Sequence, residues 1–180
     1  ITIPTADGEV GVVKTIDGKS YLFNSDGEMV TGLRILTYDG SKITNISSEV
    51  DTADTVKNMN SDTMKLVYFE SNGAAKTGTT TITLDGTSYT FSFKSNGSPR
   101  GVGETGISDG YIYQNGLRLT ADEDTKYGVV TYKNESYVVN EKGSIQKNKK
   151  NLKDADETYY CTNAKGILLH SSTEKCTTKH

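Results

Sequence analysis

The sequence predicts an all-β protein, an elongated solenoid-like array of β-hairpin repeats. Three observations predict it. The 180 residues hold 18 Gly, 25 Thr and 11 Tyr against 2 Pro, 4 Phe and no Trp. Thr and Tyr favour strands, and Gly marks turns. Leu, Ile, Val and Phe together number 37, too few for one large core. A net charge of only −3 does not push the chain open by self-repulsion. Third, a glycine-punctuated pattern recurs along the chain.

The first copy runs Asp17-Gly18-Lys19-Ser20-Tyr21-Leu22-Phe23-Asn24-Ser25-Asp26-Gly27 and ends Glu28-Met29-Val30-Thr31-Gly32. A remnant, Asp7-Gly8, precedes it. Val67-Tyr68-Phe69-Glu70-Ser71-Asn72-Gly73 is next, followed by Thr77-Gly78. Asp85-Gly86-Thr87-Ser88-Tyr89 leads into Phe91-Ser92-Phe93-Lys94-Ser95-Asn96-Gly97. Tyr111 to Gly116 is one residue shorter. Tyr137 to Gly143 and Tyr160 to Gly166 close the set. The turn glycines stand at 8, 27, 73, 97, 116, 143 and 166. One step, from 27 to 73, is about double the others. Residues 38–63 therefore hold a degenerate or inserted unit, with Glu49 to Asp62 a long loop or a short helix. Each other unit reads as a hairpin, with Asp-Gly, Asn-Gly or Lys-Gly supplying the φ > 0 turn positions. A lone hairpin is marginal in water, whereas stacked hairpins share a buried face. Residues 1–180 thus form a single array of about six to eight hairpins.

Several function classes are excluded. No apolar run approaches the ~18 residues of a helical membrane span. The lysines are scattered, and the one basic cluster, Lys147 to Lys153, reads as a solvated turn rather than a nucleic-acid surface. The chain opens at Ile1, without Met or a signal peptide, which reads as a processed form or an excised fragment.

The pattern Gly-x-aromatic-Tyr-Phe-Asn-x-x-Gly-x-Met-x-Thr-Gly resembles the cell-wall-binding repeat family. That family includes the choline-binding and glucan-binding repeats of Gram-positive surface proteins. The chain also resembles the short repeats of clostridial toxin receptor-binding regions. Asp17 to Gly32 carries the resemblance almost position for position, and the other units match in part, over some two thirds of the chain. The resemblance implies a non-catalytic solenoid of hairpins attached to an enzyme, adhesin or toxin at the cell surface. The chain departs from the family at its Trp positions. The first of these reads Ser20, Leu66, Thr90, Gly110, Ser136 and Tyr159, and the second reads Leu33 and Thr79. A quaternary ammonium is held by aromatic faces through cation–π attraction. The resemblance therefore stops short of the choline cage.

Strand alternation puts Tyr21 with Phe23, Val67 with Phe69, Phe91 with Phe93, Tyr111 with Tyr113, Tyr137 with Val139, and Tyr160 with Thr162 on one bulky face, expected to be the core. The opposite face takes Ser20 with Leu22, Leu66 with Tyr68, Thr90 with Ser92, Ser136 with Val138, and Tyr159 with Cys161. Tyr68 and Tyr159 are the aromatic residues left there, so they are the expected ligand-binding residues.

Other constellations are weaker. Cys161, His170, Cys176 and His180 leave three readings open: a zinc site, for which the spacing is not a usual finger pattern; a Cys161–Cys176 disulfide stapling the last strand to the tail; or two free thiols. Asp17, Asp26, Asp39, Asp85 and Asp109 sit beside turn glycines and serve the turns, not a pair of glycosidase carboxylates. Asp122-Glu123-Asp124 and Asp51-Thr52-Ala53-Asp54 lack the spacing of a calcium loop. Gly101 to Gly106 reads as a turn-rich linker between repeats. The functional expectation is a non-enzymatic extracellular or cell-wall module without metal or cofactor. Its partner would be cell-wall polysaccharide or another glycan, or a further domain of a parent protein. Sugars would rest in grooves between hairpins. The alternative is a structural spacer or protein-interaction stalk whose repeats have lost ligand binding.

Overall fold

A computed structural model describes residues 8–96 and 100–176. Asp7, the turn glycine Gly97 and His180 lie outside the described residues. The chain divides into two compact units. The first is Ile1–Thr105 with Gln114–Leu117, and the second is Gly106–Tyr113 with Arg118–His180.

Unit 1 begins with β1 (Gly11–Ile16), β2 (Lys19–Asn24), β3 (Gly32–Asp39) and β4 (Lys42–Ile46). A short helix, α1 (Ala53–Lys57), precedes β5 (Met64–Phe69). The five strands form one antiparallel sheet in the order β2-β1-β4-β3-β5. A hairpin follows, β6 (Gly78–Leu84) with β7 (Thr87–Phe93), and Leu117 pairs with Phe91. The uncertain stretch 38–63 is therefore the end of β3, then β4, then a loop carrying α1. The Thr52 side-chain oxygen accepts from the Thr55 N–H and caps α1. Ala53 and Val56 are buried on its inner face.

Unit 2 contains β8 (Gly106–Ser108), β11 (Tyr127–Tyr132), β12 (Glu135–Asn140), β13 (Leu152–Lys153), β14 (Tyr159–Thr162) and β15 (Leu168–Ser172). Strands β9 (Tyr111–Gln114) and β10 (Leu117–Arg118) are each divided between the units. β8 pairs with β9, β11 with β12, and β14 lies between β13 and β15.

The all-β class stands, but a regular solenoid of identical rungs is not found among the described residues. In unit 1, β4 is inserted between β1 and β3. The strands of the first two repeats, β2 and β5, are thereby moved to opposite edges of a five-stranded sheet.

What repeats is a smaller module. A strand ends in an Asx turn, and the chain returns along it for a few residues. At Asn24 the side-chain Oδ1 accepts from the N–H groups of Asp26 and Glu28, and the Gly27 N–H donates to the Asn24 carbonyl. Asn140 does the same with Lys142, Ser144 and Gly143, and Asn163 with Lys165, Ile167 and Gly166. The return segment then bonds both ways. The Val30 N–H reaches the Leu22 carbonyl, Lys76 reaches Tyr68, and Gln146 reaches Val138. Within each unit it also joins an earlier strand: the Ala75 N–H donates to Ser20, Gly103 donates to Leu66, and the Gly166 carbonyl accepts from the Val138 N–H. Gly101–Glu104 is thus a return segment and not a linker. Val102 bridges Val67, and the Glu104 N–H donates to the Ser92 carbonyl.

Burial corrects the expected bulky stripe. In the first hairpin it is the opposite face that points inward: Leu22 is 0% and Ser20 3% exposed, while Tyr21 and Phe23 are half-buried. In the fourth repeat Ile112 is fully buried and Tyr111 only half-buried. Val67 with Phe69, Phe91 with Phe93, Tyr137 with Val139, and Tyr160 with Thr162 are buried as expected. Their strands are covered on both faces, so Leu66, Ser92, Val138 and Cys161 are buried as well. β5 shows the reason. Leu66 joins a cluster with Leu33, Val56, Phe91 and Phe93, while Val67 and Phe69 join another with Leu22, Leu36 and Ile43. Two small cores share one strand, which spreads few aliphatic residues efficiently. Unit 2 has its own cluster around Ile112, Tyr137, Val139 and Ile145.

Candidate functional site

The two tyrosines expected to bind ligand lie in different units. Tyr68 is on β5, paired with Leu33, and packs half-buried against the cluster that contains Phe91. Tyr159 is on β14, paired with Lys153 on one side and Ser172 on the other, and is also half-buried. The ammonium groups of Lys153 and Lys175 each lie 5.9 Å from its ring centroid.

Other partly exposed rings also carry cations of this chain. The Arg118 guanidinium lies 3.6 Å from the Tyr111 centroid, and its Nη2 donates to the Tyr113 hydroxyl at 2.8 Å. Lys133 lies over Tyr132 at 5.5 Å. The ring–ring contact recorded among the described residues, Phe91 with Phe93, is buried.

Two clefts open on unit 1. The first, about 460 Å³, is lined by the β1–β2 turn at Asp17 to Lys19, by Glu70 and Ala74 to Thr77, and by Ser95 and Arg100. It lies where the first three repeats meet, and neither candidate tyrosine lines it. Arg100 donates to the Gly18 carbonyl and so ties the third repeat to the first turn. The second cleft, about 430 Å³, is lined by Asn24, Glu28, Met29, Arg34 and Asn45 among others. Arg34 is held there by the carbonyls of Thr31 and Ser47. Sequence reasoning named none of these lining residues as functional. Their signal was there in part, since Asp17 to Lys19 and Ala74 to Thr77 are the segments on which the repeats meet.

The cysteines form the Cys161–Cys176 disulfide, which removes the zinc and free-thiol readings. The His170 ring is hydrogen-bonded to the Glu174 carbonyl. Asp17, Asp85 and Asp109 take positive φ just before glycines of positive φ, as tight hairpin turns require.

One perturbed acid–base group is structural. The Tyr160 hydroxyl is pushed up to about 12, first by burial and then by its hydrogen bond to Asp154. Asp154 Oδ1 accepts from the N–H groups of Asp156 and Thr158. This is a further Asx turn, with Glu157 in the place of glycine at φ +65°, and it escaped sequence reasoning for lack of that glycine.

No protein-family model matches the chain, and no curated protein matches it. Among solved structures, choline binding protein F from Streptococcus pneumoniae, crystallised with a peptidoglycan analogue, is 18% identical over 88% of this chain and 57% of that one, with a TM-score of 0.26. CbpJ from Streptococcus pneumoniae is 19% identical over 84% and 62%, at 0.24. Alternansucrase in complex with isomaltononaose is 16% identical over 89% and 15%, at 0.21. The chain spans about three fifths of the length of the two pneumococcal proteins. At such TM-scores the spatial overlap is too slight to assign a fold or a function. No helix among the described residues is long and apolar enough to cross a membrane.

Proposed function

We propose that this chain is a non-catalytic cell-surface module that binds cell-wall or other surface glycan in grooves between adjacent hairpins. The cleft where the first three repeats meet carries this reading. Its volume of about 460 Å³ is in the range of small-ligand sites. Its lining is polar, with Lys19, Lys76 and Arg100 as donors and Asp17 and Glu70 as acceptors. Sugar hydroxyls can use both kinds of partner. Tyr68 and Tyr159 are proposed as aromatic contacts of separate, weak sites, which several repeats add together. The test is retention on purified Gram-positive cell walls, with wall oligosaccharides and free choline as competitors. Retention that sugars displace supports the module. A Lys19→Ala, Lys76→Ala variant and a Tyr68→Ala, Tyr159→Ala variant, each first checked for native circular dichroism, are expected to be washed off.

A second reading is favoured by one observation. Tyr111, Tyr132 and Tyr159 already carry cations of this chain, as a spacer that had lost its aromatic cages would. Absence of retention on any wall or glycan selects that reading.

A further inference from the structure

We propose that Tyr159, Lys153 and Lys175 form a site for an acidic saccharide, a sugar ring bearing a carboxylate, phosphate or sulfate. The inference rests on the glycan-binding reading and names the class of ligand for one of its tyrosines. Lys153 and Lys175 are 22 residues apart in sequence, and three features of the fold bring both to the same ring. β13 pairs with β14 so that Lys153 faces Tyr159. After β15 the tail turns back, with the Glu174 N–H donating to the Ser172 hydroxyl. The Cys161–Cys176 disulfide then fixes the tail, and Asn151 Oδ1 accepts from the Cys176 N–H. Lys175, next to Cys176, is thereby held beside Tyr159.

Among the described residues these charges are only weakly engaged. At 5.9 Å both ammonium groups lie at the outer limit of cation–π attraction. The Lys153–Glu157 pair is long, at 3.7 Å, and both side chains are well exposed, so it holds Lys153 weakly. A half-buried tyrosine offers a flat apolar face and a polar tip, on which a pyranose can rest. The two ammonium groups can then meet the anionic substituent. The basic run of Lys147, Lys149 and Lys150 is exposed on the segment that hydrogen-bonds to Thr162 of β14 and to Asn163 just after it. It extends the positive field for a longer acidic chain.

The test is isothermal calorimetry on the whole chain with acidic oligosaccharides of each kind: polygalacturonate, teichoic-acid fragments and heparin fragments. Neutral dextran oligomers of equal length are the control. The expected result is binding to at least one acidic series and none to dextran. Affinity should fall as salt is raised from ~0.1 to ~1 M, where the screening length shrinks from ~10 to ~3 Å. Lys153→Ala, Lys175→Ala is expected to weaken binding about tenfold, and both positions are exposed, so the fold is kept. Lys42→Ala, in the other unit, is expected to change nothing. Reduction of the disulfide should mimic loss of Lys175. Equal binding of dextran and acidic series, indifferent to the lysine changes, overturns the inference and leaves the glycan module standing. Binding of no saccharide, acidic or neutral, overturns both.

Discussion

Two tyrosines show how differently one side chain can be used. The Tyr160 hydroxyl donates to Asp154 Oδ2 at 2.8 Å, whereas the Tyr38 hydroxyl is buried with no partner among the described residues. Tyr160→Phe leaves a buried carboxylate oxygen unpaired and is expected to destabilise by about 1–3 kcal/mol. Tyr38→Phe removes an unsatisfied hydroxyl and is expected to be neutral or to stabilise by up to ~1 kcal/mol. Urea unfolding of the two variants checks both. Tyr160 also predicts a pH dependence. Its folded-state value, about 12, lies above the unfolded value of about 10. Its stabilising contribution is therefore whole below pH ~10 and lost as pH rises from there towards ~12. The difference in unfolding free energy between the native chain and Tyr160→Phe should be flat from neutral pH to about 10 and shrink above it.

At the scale of elements the unit of construction is the Asx turn with its return segment. Asn140 Oδ1 accepts two backbone N–H groups, so Asn140→Ala is expected to cost about 1–2 kcal/mol. Glu157 occupies the equivalent of a turn glycine at φ +65°, and Glu157→Gly is expected to stabilise by about 1 kcal/mol. Thermal melts of the two variants should move in opposite directions. These turns were legible because Asn-x-x-Gly states both needs, the capping oxygen and the positive φ. Asp154 to Thr158 was not, because Glu157 bears the strain without a glycine to announce it. Nor was the β11–β12 turn, where Lys133 and Asn134 both take positive φ. The direction of each strand's buried face was only partly legible. Period-two alternation identifies two faces but does not say that β5 is covered on both. In the first hairpin the larger rings, Tyr21 and Phe23, lost the interior to Leu22 because that strand's core is shared with β3, β4 and β5. The clefts were the least legible, since their linings come from turns far apart in sequence.

At the scale of the molecule two units divide the chain, each with its own buried clusters. The disulfide spans 15 residues within the second, a loop for which the entropic stabilisation is about 3 kcal/mol. Reduction is therefore expected to accelerate amide hydrogen exchange in β14 and β15 and to leave β3 and β5 unchanged. Uniform acceleration would mean that the units do not open separately. Function belongs to this scale too, because the proposed grooves exist only where repeats meet. The most direct measurement is an amide NMR spectrum of the labelled chain titrated with wall-derived oligosaccharides. Saturable shifts confined to Asp17–Lys19, Ala74–Thr77 and the surroundings of Tyr68 and Tyr159 are predicted. A spectrum unchanged at millimolar saccharide, or shifts scattered without saturation, would contradict glycan binding and leave a structural spacer.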